Sequence, residues 1–225
     1  MRRTALLPIA AAAIASFALS ACSGDESTVD SMPSAATELQ PAEFEDWLAG
    51  IVAAEAEFYA AADGQALNVI SEVSDTSQGS ATADSTYNAD DTFVATSTTT
   101  GADGTETTMN VACTVELCFR ADESGEWMEV DRSLVERPTP GTIATALEEF
   151  ESTGTVTYTM ADGAFRASVD IAEAEGQPAG TAVLEEIFGD EQMVSSLVVT
   201  VGEDSTTTTS SMSIGEPAPL PDDLP

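Results

Sequence analysis

Forty acidic residues, six cations, three cysteines and no histidine bound the chemistry open to this chain of 225 residues. Without histidine there is no Ser-His-Asp or Cys-His arrangement and no histidine-ligated metal. The adjacent acids Asp90-Asp91, Asp122-Glu123 and Asp222-Asp223 offer the hard oxygen donors that calcium prefers. None has EF-hand spacing, which needs alternating ligands, a central glycine and a distant glutamate. They support weak, diffuse cation association at an acidic surface and no defined metal site. Carboxylate pairs of the kind that hydrolyse glycosides arise by chance in any chain this acidic, so they decide nothing. There is no phosphate-cradling loop or dinucleotide fingerprint, and no cofactor is expected. With no recognisable catalytic residues, the chain is not expected to be an enzyme.

The cysteines are more informative. Arg2 and Arg3 precede an apolar run at 5–18, interrupted only by Pro8 and Ser16. That run is too short to cross a membrane and fits the apolar region of a secretory signal. It closes on Leu19-Ser20-Ala21-Cys22, which resembles a bacterial lipobox. The resemblance implies that a signal peptide, 1–21, is removed and that Cys22 carries lipid on its thiol. Cys22 then anchors the mature chain to the outer face of the cell membrane, an extracytoplasmic location. Taking Cys22 out of the count leaves Cys113 and Cys118, with four residues between them. Outside the cytoplasm two nearby thiols oxidise. Two cysteines without histidine cannot complete a zinc site, and a CxxC redox pair has a shorter spacing. A structural disulfide across a hairpin is expected.

Lysine is absent, and the formal charge of −34 falls to −36 once Arg2 and Arg3 leave. Such a chain repels nucleic acid. Its self-repulsion is relieved by salt, which suits a salty exterior or serves solubility alone. Hydrophobic residues still make up 43% of the chain, enough for a folded core despite the charge.

Any site must be positioned by the elements between the ends. Residues 22–40 are acidic and rich in Ser and Thr, and read as a flexible tether. A helix is expected over 41–62, with Pro41 at its first position and Asp63-Gly64 at its end. Phe44, Trp47, Leu48, Ile51, Val52, Phe58, Tyr59 and Ala62 form its apolar stripe. Strands are expected where Phe165, Ala167, Val169 and Ile171 alternate with Arg166, Ser168 and Asp170. Val156, Tyr158 and Met160 repeat the pattern, as do Leu197, Val199 and Val201. The threonine runs 96–100 and 206–209 suit strands through their β-branching. Asp103-Gly104, Ser124-Gly125, Asp162-Gly163, Gly189-Asp190 and Gly202-Glu203 punctuate them. A short second helix is expected over 140–150, capped by Thr139, and a proline-rich tail over 216–225. Helix, meander, helix, meander is an α+β pattern with helices on one face of an antiparallel sheet.

This order of elements resembles the actinobacterial lipoproteins of the LppX/LprG type, relatives of the LolA-like carriers. The resemblance is carried by Gly125-Glu126-Trp127-Met128-Glu129-Val130-Asp131, the helix at 140–150 and Ala161-Asp162-Gly163-Ala164-Phe165. The paired strands at 180–201 and the closing Ile214-Gly215-Glu216-Pro217 add to it. It implies that 41–215 form one domain: a strongly curved, unclosed antiparallel half-barrel with helices on its concave face. It also implies a cavity between sheet and helices that holds a hydrophobic ligand, a lipid. The candidates to line it are Phe44, Trp47, Leu48, Ile51, Glu55 and Phe58. The chain departs from the family in its acidity and its Cys113–Cys118 pair.

Glu55 interrupts the apolar stripe. Buried alone, a charge costs several kcal/mol. It is therefore a polar lip of a cavity, a partner for an arginine, or a solvated residue where the helix overhangs the sheet; the last is preferred. Arg120, Arg132 and Arg137 can receive an anionic headgroup or pair with neighbouring acids, and pairing is preferred. Two functions remain: a carrier of a hydrophobic ligand, and a non-enzymatic envelope interaction or sensor module with a solid core. The second would meet a protein partner through its acidic surface.

Overall fold

The computed structural model describes residues 39–121, 125–135, 137–139, 154–173 and 178–225. The tether up to 38, Cys22 and the second helix expected over 140–150 lie outside the described residues.

Twelve strands form one sheet: β1 Gln40–Pro41, β2 Ala66–Asp75, β3 Gly79–Tyr87, β4 Phe93–Gly101, β5 Glu106–Cys113, β6 Cys118–Ala121, β7 Trp127–Val130, β8 Val156–Ala161, β9 Ala164–Ile171, β10 Gly180–Phe188, β11 Gln192–Val201 and β12 Asp204–Gly215. Among the described residues one α-helix, α1, spans Phe44–Ala61. The sheet order is β1-β8-β9-β10-β11-β12-β2-β3-β4-β5-β6-β7, with β1 and β7 at its two ends, so it is not closed. Two meanders, β2–β7 and β8–β12, are sewn together where β12 pairs with β2 from Thr206↔Asp75 to Gly215↔Ala66. Every pairing is antiparallel. This bears out the expected mostly antiparallel, unclosed sheet, a form consistent with a half-barrel.

The topology dictates the helix. It leaves β1 at one edge and must deliver the chain to β2, six strands away in the sheet order. Six spacings of about 4.8 Å are about 29 Å. The 18 residues of α1, at about 1.5 Å each, span about 27 Å. The helix therefore crosses half the sheet, not all of it. Its start differs from the expected Pro41. Pro41 pairs with Thr159, and the Ala42 N–H donates to the Tyr158 carbonyl. Proline suits a helix start and an edge strand equally, and the free edge of β8 decides between them. The helix end is as expected: the Ala62 N–H donates to the Phe58 carbonyl, and Gly64 follows in the left-handed region at φ 69°.

Under the helix the packing is tight. Trp47 and Ile51 meet Phe165, Ala167, Val169, Ala182, Leu184 and Leu197, with Phe44, Leu48 and Tyr158 around them. Val52, read into the apolar stripe, is left exposed. The alternation of β9 thus faces as read, with Arg166 and Asp170 exposed on the other side. A β-carbon on Gly50 would lie 2.8 Å from the Phe165 ring, so only glycine lets the helix settle this close. Phe58 and Ala62 join Leu67, Val69 and Met193 in a second cluster. A third, of Phe93, Val111, Cys113, Cys118 and Val135, closes the far end of the sheet.

Cys113 and Cys118 are bonded, and they are direct partners across the β5–β6 hairpin, as expected. The Thr114 hydroxyl accepts from the N–H groups of Glu116 and Leu117 and fastens the intervening turn. Breaking the bond with Cys113→Ala and Cys118→Ala together is expected to cost about 2 kcal/mol, because the closed loop is short. Urea unfolding of both forms checks this; equal midpoints would overturn it. The tail is held as well. The Asn88 side chain donates to the Ala218 carbonyl and accepts from the Ala218 N–H, in the manner of a strand pair.

Candidate functional site

Strand β10 places Ala182, Leu184, Glu186 and Phe188 on one face, since alternate side chains share a side. Glu186 is the cross-strand partner of Phe165, which packs against Trp47, so that face is the one α1 covers. Glu186 is 2% exposed and Glu55, on the helix above, is 3% exposed. The preference for a solvated, overhanging Glu55 is thus corrected. The helix end does not overhang, because the sheet continues beneath it through β11, β12 and β2.

The two carboxyls influence each other across the helix–sheet seam. Burial pushes Glu186 up to about 8, opposed by a hydrogen bond from Ser195 and helped by the nearby Glu55. The Ser195 hydroxyl donates to Glu186 Oε1 at 2.6 Å, whereas Oε2 has no hydrogen-bond partner among the described residues. Tyr59, one helical turn beyond Glu55, is pushed above the usual tyrosine range by burial, then by Glu55 and Glu186, with Arg137 acting the other way. Among the described residues its hydroxyl reaches Met212 Sδ, at 3.7 Å. Burial also pushes Tyr87 up to about 12.

The register continues this polar line across the sheet. Glu186 faces Ser195, Ser195 faces Ser210, Ser210 faces Ser71, Ser71 faces Ala83 and Ala83 faces Ser97. These neighbours share the helix-facing side. Ala81, Ala83 and Ser85 on β3 and Ala95, Ser97 and Thr99 on β4 make a half-buried strip of short side chains there. The strip contrasts with the large residues beneath α1.

Among the described residues Arg137 and Arg132 bond backbone carbonyls. The Arg137 guanidinium donates to the carbonyls of Ala62, Gln65 and Asn88, capping the negative end of α1 and tying it to the β3–β4 turn. Arg132 donates to the carbonyls of Thr114 and Asp91. Arg120 is exposed on β6.

Of the candidate ligand-lining residues, Trp47, Ile51, Glu55 and Phe58 are buried, and Phe44 and Leu48 are half-buried. Trp47 stacks against Tyr158 and donates from its indole N–H to the Thr159 carbonyl. Glu186, Ser195, Ser210 and Tyr59 complete the seam and were not singled out as site residues. The signal was present: Glu186 breaks an apolar alternation in β10 as Glu55 breaks the helix stripe. Two open hollows occur elsewhere. One, of about 570 Å³, is lined by Glu116, Leu117, Cys118, Glu129, Val130, Asp131 and Arg132. The other, of about 280 Å³, is lined by Pro41, Ala42, Glu43, Asp46 and Met160. Their acidic walls do not suit an acyl chain. Among the described residues no group of three or more acids and cysteines is arranged to hold a metal.

No family model matches the chain, and no curated protein does. The solved structure of the S-type phycobiliprotein lyase CPES from Guillardia theta is similar at 7% identity over 72% of this chain and 93% of that one, with a TM-score of 0.28. A likeness this slight carries no argument about ligand or reaction. The expectation that the chain is not an enzyme is nevertheless corrected. It rested on the lack of histidine, which does not exclude acid–base chemistry by a carboxyl. The seam supplies a physical reason within this chain: a buried carboxyl near 8 can exchange protons at neutral pH without histidine.

Proposed function

We propose that the chain is an extracytoplasmic lipoprotein of the LppX/LprG type, anchored through Cys22, that binds a hydrophobic ligand between its sheet and helices. In this reading α1 lies on the concave face of the half-barrel. The acyl chain lies beside α1, over the strip of short side chains. The observation that carries the reading is that strip. Below α1 the same face is filled by Trp47, Phe165 and Leu184. Beside α1 it bears alanine, serine and threonine, which fill little space. Burial of acyl chain there would supply about 0.8 kcal/mol per methylene. Phe58 and Tyr59 stand at the boundary of the two regions and would form its wall.

Native mass spectrometry of the exported full chain carrying Cys22→Ala, gently purified, tests the reading. The expected result is a co-purifying lipid of defined mass that is lost on denaturation. A bare protein that also takes up no added lipid would overturn it.

A further inference from the structure

The seam between α1 and the strip holds polar groups that the protein itself leaves short of partners. Glu186 Oε2 has none among the described residues. The Tyr59 hydroxyl has a sulfur acceptor at 3.7 Å, a weak substitute for oxygen. Ser210 is 1% exposed, and its hydroxyl lies 3.4 Å from that of Ser71, long for an O–H···O bond. One orphaned atom in a native core calls for an explanation; several neighbours on one face point to a common missing partner.

We propose that this seam is the polar end of the ligand site and receives an uncharged oxygen-bearing group, such as a hydroxyl or ester, at the head of an apolar chain lying along the strip. The proposal rests on the ligand-binding reading above. Its chemistry follows from who donates and who accepts. Ser195 donates to Glu186 Oε1. The acid proton of a neutral Glu186 then resides on Oε2 and needs an acceptor. Tyr59 also offers an O–H. Ser71 and Ser210 can donate or accept, which suits a hydroxyl.

Charge selects against the alternatives. A carboxylate or phosphate placed there gives up its hydration and finds an acid in place of a cation. Arg137 is the cation that Tyr59 senses, and its guanidinium is already engaged by three backbone carbonyls. The direction of the site is set by the Ser195 hydrogen bond. It draws the Glu186 carboxyl away from Phe165 and toward β11, β12 and the strip beyond.

The test compares two ligands with one chain, 1-oleoylglycerol and oleate. Each displaces a hydrophobic dye from the exported full chain carrying Cys22→Ala at pH 7, below the concentrations at which they aggregate. Oleoylglycerol is expected to bind about tenfold tighter than oleate, the scale of a hydrogen bond to a buried acid joined with the cost of desolvating a carboxylate. Glu186→Leu is expected to remove most of that preference while dye binding persists, and Tyr59→Phe to reduce it. Circular dichroism confirms that each variant is folded; if Glu186→Leu does not fold, Tyr59→Phe with Glu186→Gln decides. Equal binding of both ligands, or an unchanged preference in the variants, would mean that the seam holds water only and would overturn this inference alone. Failure of dye and both ligands to bind would overturn the ligand-binding reading with it.

Discussion

Trp47→Ala is expected to destabilise the fold by about 3–5 kcal/mol, the range for truncating a large aromatic in a core that cannot collapse around the gap. Trp47 is 0% exposed. Its ring lies 5.2 Å from Tyr158 and meets the Phe165 ring edge-on at 6.2 Å. Its indole N–H satisfies the Thr159 carbonyl at 3.1 Å. The substitution removes three things at once: apolar burial, two ring contacts and a hydrogen bond. It also removes the main tie between α1 and β8, whose outer neighbour is only the two-residue β1. Urea unfolding followed by far-ultraviolet circular dichroism measures the loss without relying on tryptophan emission. A loss under about 1 kcal/mol, the level of an ordinary surface substitution, would mean that α1 does not cover the sheet in solution.

The expectation for Trp47 was available from the sequence; the consequence of Glu55 was not. Periodicity places Trp47, Ile51, Glu55 and Phe58 on one helix face because only the chain's own spacing is needed. What lies beneath that face depends on β10, whose partner row is set by long-range pairing. The strands were legible for a related reason. One side of β9 is buried and the other wet, so alternation survives in the sequence as Phe165, Ala167 and Val169. The disulfide was legible because its partners are neighbours in one hairpin. The pairing of β12 with β2, which sews the two meanders together, leaves no local mark. Neither does the use of Arg137, since a guanidinium bound to three carbonyls looks in sequence like one paired with an acid. Pro41 failed as a helix start because two local preferences agreed with its residue type and a tertiary partner chose between them.

Glu186→Gln is expected to stabilise the protein at neutral pH by about 2–4 kcal/mol, contrary to the usual effect of changing a buried residue. In the unfolded chain the carboxyl ionises at its ordinary value of 4.5, and in the folded chain burial raises this to about 8. Between those values the folded state retains a proton that the unfolded state has lost. Stability therefore falls by about 1.4 kcal/mol for each unit of rising pH across that window. It is fullest below 4.5 and levels off above about 8. Glutamine keeps an oxygen to accept from Ser195 and replaces the orphaned Oε2 with an amide that carries no charge. The variant should lose one proton's worth of pH slope. Asp75 marks the opposite limb: burial raises it, but hydrogen bonds from Thr206 and Ser77 prevail and hold it below 3.8, so its contribution disappears only in stronger acid. The many surface carboxylates also favour lower pH in both proteins. The difference between wild type and variant, read by urea unfolding at pH 5 to 9, isolates Glu186. Parallel curves, or a variant less stable at pH 7, would show that Glu186 is ionised and satisfied in the folded chain. A converging pair, with the variant ahead at pH 8 and the gap nearly closed at pH 5, would show that the helix is docked over a carboxyl that must keep its proton.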